Sequence, residues 1–172
     1  MDCVDFYNSA LGKITLSSDG SSLTGCWFEG QRHFGATLSG VCEKKVVPVF
    51  ADAKRWLDVY FAGGEPDFCP RLSFAHKATA FQLKVWRALL EIPYGTTCSY
   101  KDVAQKVGGL SWCRAAAAAI GRNPISLFVP CHRVIGSRGQ LTGYAGGLER
   151  KAWLLRLEAE GTGALFADDF RS

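Results

Sequence analysis

The chain has 172 residues, 48% of them hydrophobic and 21% charged, an ordinary globular balance that excludes a disordered or low-complexity chain. Its longest apolar run, Ala115 to Ile120, is far too short to span a membrane, so no membrane partner is expected. The net charge of +4 is an average: residues 1–70 carry 6 Lys+Arg against 9 Asp+Glu, whereas residues 71–160 carry 13 against 5. A mildly acidic part is thus followed by a basic one. Basic surface attracts phosphate backbones, although basic residues can also be merely solvated.

Residues 10–28 read as strands. Lys13 to Ser17 alternates, and Leu23 to Phe28 follows the turn signal Asp19-Gly20. After a Gly-rich loop, Pro48 suits a first helical position, and Phe50, Ala53, Trp56, Leu57, Tyr60 and Phe61 recur at helical spacing. Gly63-Gly64 ends that helix, and Gly63 to Pro70 reads as a linker where the charge changes sign. Two domains are expected, an N-terminal α/β domain over 1–66 and a C-terminal domain over 73–172.

The second part reads as mostly helical. Phe81, Val85, Leu89 and Ile92 form an apolar stripe, with Thr79 as N-cap and Pro93-Tyr94-Gly95 as stop. Ser99-Tyr100-Lys101-Asp102 resembles a capping box and opens a short helix through Val107. Gly108 to Ser111 is a turn, and Arg114 to Ile120 is a strong helix former ending at Gly121. Together these make a helix-turn-helix. The alanines suit either tight packing on a neighbour or a smooth surface lying close to DNA. Ile125 to Val129 reads as a buried strand between two prolines, and the last helix runs from about Leu148 to Glu160. The fold class is α+β: a small N-terminal antiparallel sheet with a helix, then a mostly helical domain.

The first residues, Met1-Asp2-Cys3-Val4-Asp5, are acidic, so no secretory signal is expected. Seven cysteines occur, and none forms a C-x-x-C pair. That argues against a zinc ribbon, a thioredoxin motif or a disulfide framework, and for a reducing compartment: the cytoplasm, or the nucleus in a eukaryote. Most are expected to be small buried hydrophobes. Cys131 differs by its context. A hydrophobic run leads to Pro130, and His132 and Arg133 follow the thiol at once. A thiolate needs nearby positive charge or a base to form at neutral pH. Residues adjacent in the chain pair poorly through direct side-chain contact, so a bridging water is expected between Cys131 and His132.

Pro130-Cys131-His132-Arg133-Val134, with Asn123-Pro124 before it and Gly143-Tyr144-Ala145-Gly146-Gly147 after it, resembles the signature of the O6-alkylguanine-DNA alkyltransferases, the methylated-DNA–protein-cysteine methyltransferases. The resemblance covers most of residues 80–160, and residues 1–65 match only loosely. It implies a suicide reaction in which an alkyl group passes from O6 of guanine, or O4 of thymine, in double-stranded DNA to Cys131. It implies His132 as general base through water and Glu158 as the group that orients it. Asn123 ties the active-site strand and turn together. Tyr100 donates toward N3 of the leaving guanine. Arg114 enters the stack in place of the extruded nucleotide, and Ala115, Ala116 and Ala117 lie along DNA with Tyr100. Val134, Tyr144, Ala145 and Gly146 line the base pocket. A monomer needing no cofactor and no metal is implied. Some relatives hold zinc in the N-terminal part, but the spacing of Cys3, Cys26, Cys42 and His33 does not match a zinc pattern.

The chemistry fits these residue types. A thiolate is a soft nucleophile suited to attack on an alkyl carbon, and the leaving oxyanion needs a donor such as Tyr100. The reactive atom lies inside the duplex, so the base must leave the stack. The family pattern Arg-Ala-Val-Gly is here Arg114-Ala115-Ala116-Ala117, which adds a methyl where DNA approaches. Ala145 stands where relatives often carry a small polar residue. Arg133 reads as a structural ion-pair partner, and His33 and His76 as ordinary surface or core histidines. Three other readings remain: a non-catalytic alkylated-base-binding protein of the same fold, a helix-turn-helix regulator, and a thiol hydrolase.

Overall fold

The computed structural model describes residues 1–74 and 78–163; His76 lies outside them. These residues divide into two compact units, and residues 124–128 belong with the first.

In the first unit, strands β1 (Asp2–Ser9), β2 (Gly12–Ser18), β3 (Leu23–Phe28) and β4 (Cys42–Lys44) form one sheet in the order β3-β2-β1-β4. The β1–β2 and β2–β3 pairs are antiparallel, but β4 runs parallel to β1. The sheet is therefore mixed, a correction to the antiparallel sheet expected from sequence. Asp19 makes the β2–β3 turn, its carboxylate accepting from the backbone of Ser21 (2.9 Å) and Ser22 (2.7 Å). Gly25 is required within β3, because a Cβ there would collide with the Trp27 indole and the Ser17 hydroxyl.

Helix α1 (Pro48–Phe61) starts at Pro48 and buries Val49, Phe50, Ala53, Trp56, Leu57 and Tyr60. Its polar side is tied to β1 by Lys54–Asp5 (2.6 Å) and by Tyr7 Oη donating to Asp58 (2.7 Å). The Gly63–Pro70 stretch, expected as a linker, is followed by chain that stays with this unit: the Leu23 amide donates to the Arg71 carbonyl and the Ser73 amide to the Leu23 carbonyl, on either side of Leu72.

Residues 125–129 are buried as expected but do not form a strand. Ile125 makes only an isolated bridge to Cys26, and Leu127 sits at φ 73°. A ladder cannot run through that left-handed residue between two prolines. Phe128 packs its ring on Trp56, centroids 4.3 Å apart.

The second unit is built on helices. Helix α2 (Ala80–Leu89) opens with a full capping box between Thr79 and Gln82. Strand β5 (Cys98–Ser99) leads into α3 (Tyr100–Val107), where Ser99 and Asp102 form the second capping box. A 3-10 turn (Leu110–Trp112) joins α3 to α4 (Cys113–Gly121), completing the helix-turn-helix. Trp86 Nε1 donates to the Ala119 carbonyl at 2.8 Å and pins α2 to α4. A second 3-10 turn (Cys131–Arg133) precedes β6 (Val134–Ile135), which pairs parallel with β5. Helix α5 (Leu148–Gly161) closes the unit. Among the described residues no helix is long and apolar enough to cross a membrane.

Candidate active site

Asn123 lies just beyond the C-terminal end of α4, and the chain re-enters the second unit at Val129. The Asn123 side-chain amide bridges the two ends of this excursion. Its Nδ2 donates to the Val129 carbonyl at 2.8 Å and to the Cys131 sulfur at 3.1 Å. Cys131 is 4% exposed. Burial pushes its thiol up, while the Asn123 hydrogen bond and the Lys151 charge oppose that shift.

The tight turn at Cys131–Arg133 sends His132 and Arg133 to one carboxylate, Glu158 on α5, which is 1% exposed. His132 Nε2 lies 2.7 Å from Glu158 Oε1. Arg133 Nε donates to Oε2 at 2.8 Å and Nη2 to Oε1 at 2.9 Å, while Nη1 donates to the Ile92 carbonyl at 2.7 Å. The Gly95 amide adds a donor to Oε2 at 3.1 Å. Burial alone would raise the Glu158 carboxyl, but His132 and Arg133 beside it hold it well below the usual carboxylate range. Glu158 is therefore ionised and can only accept.

The histidine follows from that. Burial pushes the imidazole down, the Glu158 charge pulls it up, and Arg133 and Lys151 push it down again, with a net lowering. His132 is neutral, because Arg133 already balances Glu158. Its proton resides on Nε2, facing the carboxylate, which leaves the lone pair on Nδ1. The site thus holds a protonated thiol beside a neutral imidazole whose basic nitrogen is fixed by Glu158.

Sequence reading missed Lys151, although it is fully buried. Its Nζ donates to the carbonyls of Thr142 (3.2 Å) and Gly143 (3.1 Å) and lies 5.6 Å from the centre of the Tyr100 ring. Burial pushes its ammonium down to about 8, and a thiolate at Cys131 would oppose this. The available signal was the stripe Lys151, Leu154, Leu155, Glu158: two charges at core-facing spacing on one helix. Tyr100 converges on the same loop, its hydroxyl donating to Thr142 (2.6 Å) with Gly143 at 3.2 Å. Burial raises the phenol, the bond to Thr142 opposes this, and a thiolate at Cys131 would raise it further.

The other expected residues lie around this core. Arg114 and Ala115 are exposed on α4 and Ala117 is half-buried, but Ala116 is 0% exposed. The expected DNA contact by the Ala116 side chain is therefore corrected: it packs inward, and Ala118 takes the exposed position one turn on from Arg114. Val134 is fully buried on β6, and Tyr144, Ala145 and Gly146 are half-buried in the loop before α5. Among the described residues no three His, Cys, Asp or Glu side chains gather as a metal site.

Comparison with known proteins places this geometry. Residues 80–160 match the 6-O-methylguanine DNA methyltransferase, DNA binding domain, and residues 4–83 match the ribonuclease-like domain of the same family. The chain belongs to the 6-O-methylguanine DNA methyltransferase family. A methylated-DNA–protein-cysteine methyltransferase of Mycobacterium leprae is 44% identical over 151 residues, 88% of each chain. One from Methanosarcina barkeri is 42% identical over 155 residues, 90% of this chain and 95% of that one. Among solved structures of this methyltransferase family, Mycobacterium tuberculosis OGT in complex with DNA superposes with a TM-score of 0.82 at 37% identity, covering 98% of this chain and 99% of that one.

Proposed function

We propose that the protein repairs alkylated duplex DNA by moving the alkyl group from O6 of guanine irreversibly onto Cys131. The observation that carries this reading is the buried Cys131–Asn123 contact adjoining the His132–Glu158–Arg133 cluster.

The thiol of Cys131 gives its proton, through an intervening water, to Nδ1 of His132. Glu158 accepts the hydrogen bond from Nε2–H and stabilises the imidazolium that forms. Arg133 keeps the carboxylate ionised throughout. The Asn123 amide and the Lys151 ammonium stabilise the thiolate at its moment of formation. Sulfur then attacks the alkyl carbon, the carbon–O6 bond breaks, and its electron pair stays on guanine. Tyr100 donates toward N3 of the departing base, and the proton taken from the thiol makes good the guanine. The product thioether has no leaving group to restore the thiol, so each molecule reacts once. Apart from that water, every group the protein brings to this scheme is a side chain, and the reaction uses no cofactor.

The helix-turn-helix presents the lesion. Extruding a base costs about a few kcal/mol, which Arg114 offsets by filling the gap. Val134 and Tyr144 to Gly146 hold the extruded base. In the resting thiol form Tyr100 is bonded to the 142–143 loop, so base entry must exchange those carbonyls for N3. The cytoplasm, or a eukaryotic nucleus, suits a protein with seven free cysteines.

The test is a duplex carrying one O6-methylguanine, followed by peptide mass mapping. A stoichiometric gain of one methyl on Cys131, abolished in Cys131→Ala with DNA binding retained, is expected. Binding without any mass gain would overturn the reading in favour of a non-catalytic lesion binder.

A further inference from the structure

We infer that Trp112 is a DNA contact: a preset, half-exposed indole that rests against the sugar–base edge of the duplex beside Arg114. The inference rests on the alkyltransferase reading above and adds a residue to its DNA surface.

Trp112 occupies the last position of the helix-turn-helix turn and the N-cap of α4. It is 48% exposed, and Leu110 two residues earlier is 59% exposed. Two large apolar side chains therefore stand at the surface two to four residues before Arg114. The indole does not swing freely there. Phe81 stacks against it with centroids 5.2 Å apart and planes tilted by 30°. The backbone of Gly108 lies so near that a Cβ would approach Trp112 Cδ1 to 3.0 Å. The Trp112 amide donates to the Gly109 carbonyl at 3.0 Å. One side of the ring is thus held by protein and the other is presented to solvent in a fixed orientation. Such a ring loses little conformational entropy on binding.

Charge says what covers it. No Asp or Glu occurs from Val103 to Gly147; of the cations there, Arg133 is buried on Glu158 and Lys106 pairs with Glu91, which leaves Arg114, Arg122 and Arg138 at the surface. Arg114 and Ala118 are exposed one turn apart on α4, and exposed Arg122 follows at its C-cap. An apolar ring two residues from the exposed Arg114 suits a polyanion with apolar faces between its phosphates. Duplex DNA opened at one nucleotide is such a surface. Aromatic contact with bases tolerates any sequence, as repair of a lesion in any context requires.

The test uses the full chain. Tryptophan emission is followed while undamaged duplex is added to wild type and to Trp112→Phe, which keeps a ring for Phe81. Trp27, Trp56 and Trp86 are 7% exposed or less and Trp153 is half-buried, so quenching by DNA should come mainly from position 112. We expect most of the quenching to vanish in Trp112→Phe. Transfer rates are then compared for Trp112→Ala on methylated duplex and on free O6-benzylguanine. The loss on duplex should exceed the loss on the free base by about tenfold, the scale of one stacked base. Full quenching in Trp112→Phe, or equal losses on both substrates, overturns the assignment. Failure of wild type to methylate Cys131 would sink the alkyltransferase reading instead, and the quenching experiment would still decide the contact.

Discussion

Replacing Arg133 by Met should damage both stability and chemistry, through one carboxylate. Arg133 makes two close contacts to Glu158, at 2.8 and 2.9 Å, and a third bond to the Ile92 carbonyl at 2.7 Å. Met fills most of the volume but supplies no charge. Glu158 would remain 1% exposed, keeping His132 and the Gly95 amide but losing its guanidinium. Removing one side of a buried ion pair costs about 3–5 kcal/mol, because the remaining charge is left uncompensated. Urea denaturation at pH 7.5 should show that loss against a typical total of about 5–15 kcal/mol. The carboxylate will also recruit a substitute cation. Arg133 normally holds the His132 imidazole down, so its removal raises the imidazole. A protonated His132 cannot accept the thiol proton, and the rate of methyl transfer against pH should move to higher pH. Pairing Arg133→Met with Glu158→Gln removes both charges and should recover most of the stability but not the rate. A loss below about 1 kcal/mol, an unmoved pH profile, or a double variant as unstable as the single one would refute the reasoning.

Lys151→Met should separate stability from activity. Burial costs the ammonium its solvation, and its folded value of about 8 lies below the ordinary 10.5. The unfolded chain therefore binds the proton more tightly, and the lysine's contribution to stability rises as pH climbs from about 8 toward 10.5. The Met variant should lose that rise, be no less stable at pH 7, and transfer methyl more slowly; a stability loss of several kcal/mol at pH 7 would contradict this. Tyr100→Phe removes the donor to Thr142 and to the leaving base, and should slow transfer by about 10²–10³-fold, as loss of one oxyanion donor does. Its denaturation midpoint should barely move, and an undiminished rate in single-turnover assays would remove Tyr100 from the reaction. Asn123→Ala loses bonds to Val129 and Cys131, costs about 1–3 kcal/mol, and lets burial raise the thiol further. Alkylation of Cys131 by iodoacetamide at pH 8 should slow accordingly, and an unchanged rate would show that the amide does not tune the sulfur.

The sequence made legible what is local in the chain. Thr79 with Gln82 and Ser99 with Asp102 are spaced to close their own capping boxes, so α2 and α3 begin where expected. Strand β1 has no such local signal, because Asp2 and Asp5 interrupt its apolar residues. In the fold those charges are spent on other elements, Asp5 on Lys54 of α1 and Asp2 on the Ser39 amide of the loop before β4, at 2.6 Å. Strand β4 is a three-residue exposed edge whose only reason to be extended is β1 alongside it. Such strands have no period of their own to read.

The same division runs through the site. Cys131, His132 and Arg133 are consecutive, so their chemistry is visible in one stretch of chain. Glu158 entered by resemblance, and the ion-pair reading of Arg133 lacked its partner. What joins them is the inward face of α5, which carries Lys151 and Glu158 seven residues apart among leucines. Two turns of helix set that spacing, about 10 Å along the axis. Lys151 is thereby directed to the Tyr100 loop and Glu158 to the histidine. Charges at core positions are costly unless each is answered, and here each is: Glu158 by Arg133 and His132, Lys151 by two carbonyls and the sulfur it polarises. A buried lysine with two neutral partners has no structural advantage over Leu at that position. Its electrostatic influence on Cys131 and its nearness to Tyr100 supply a reason for it that packing does not.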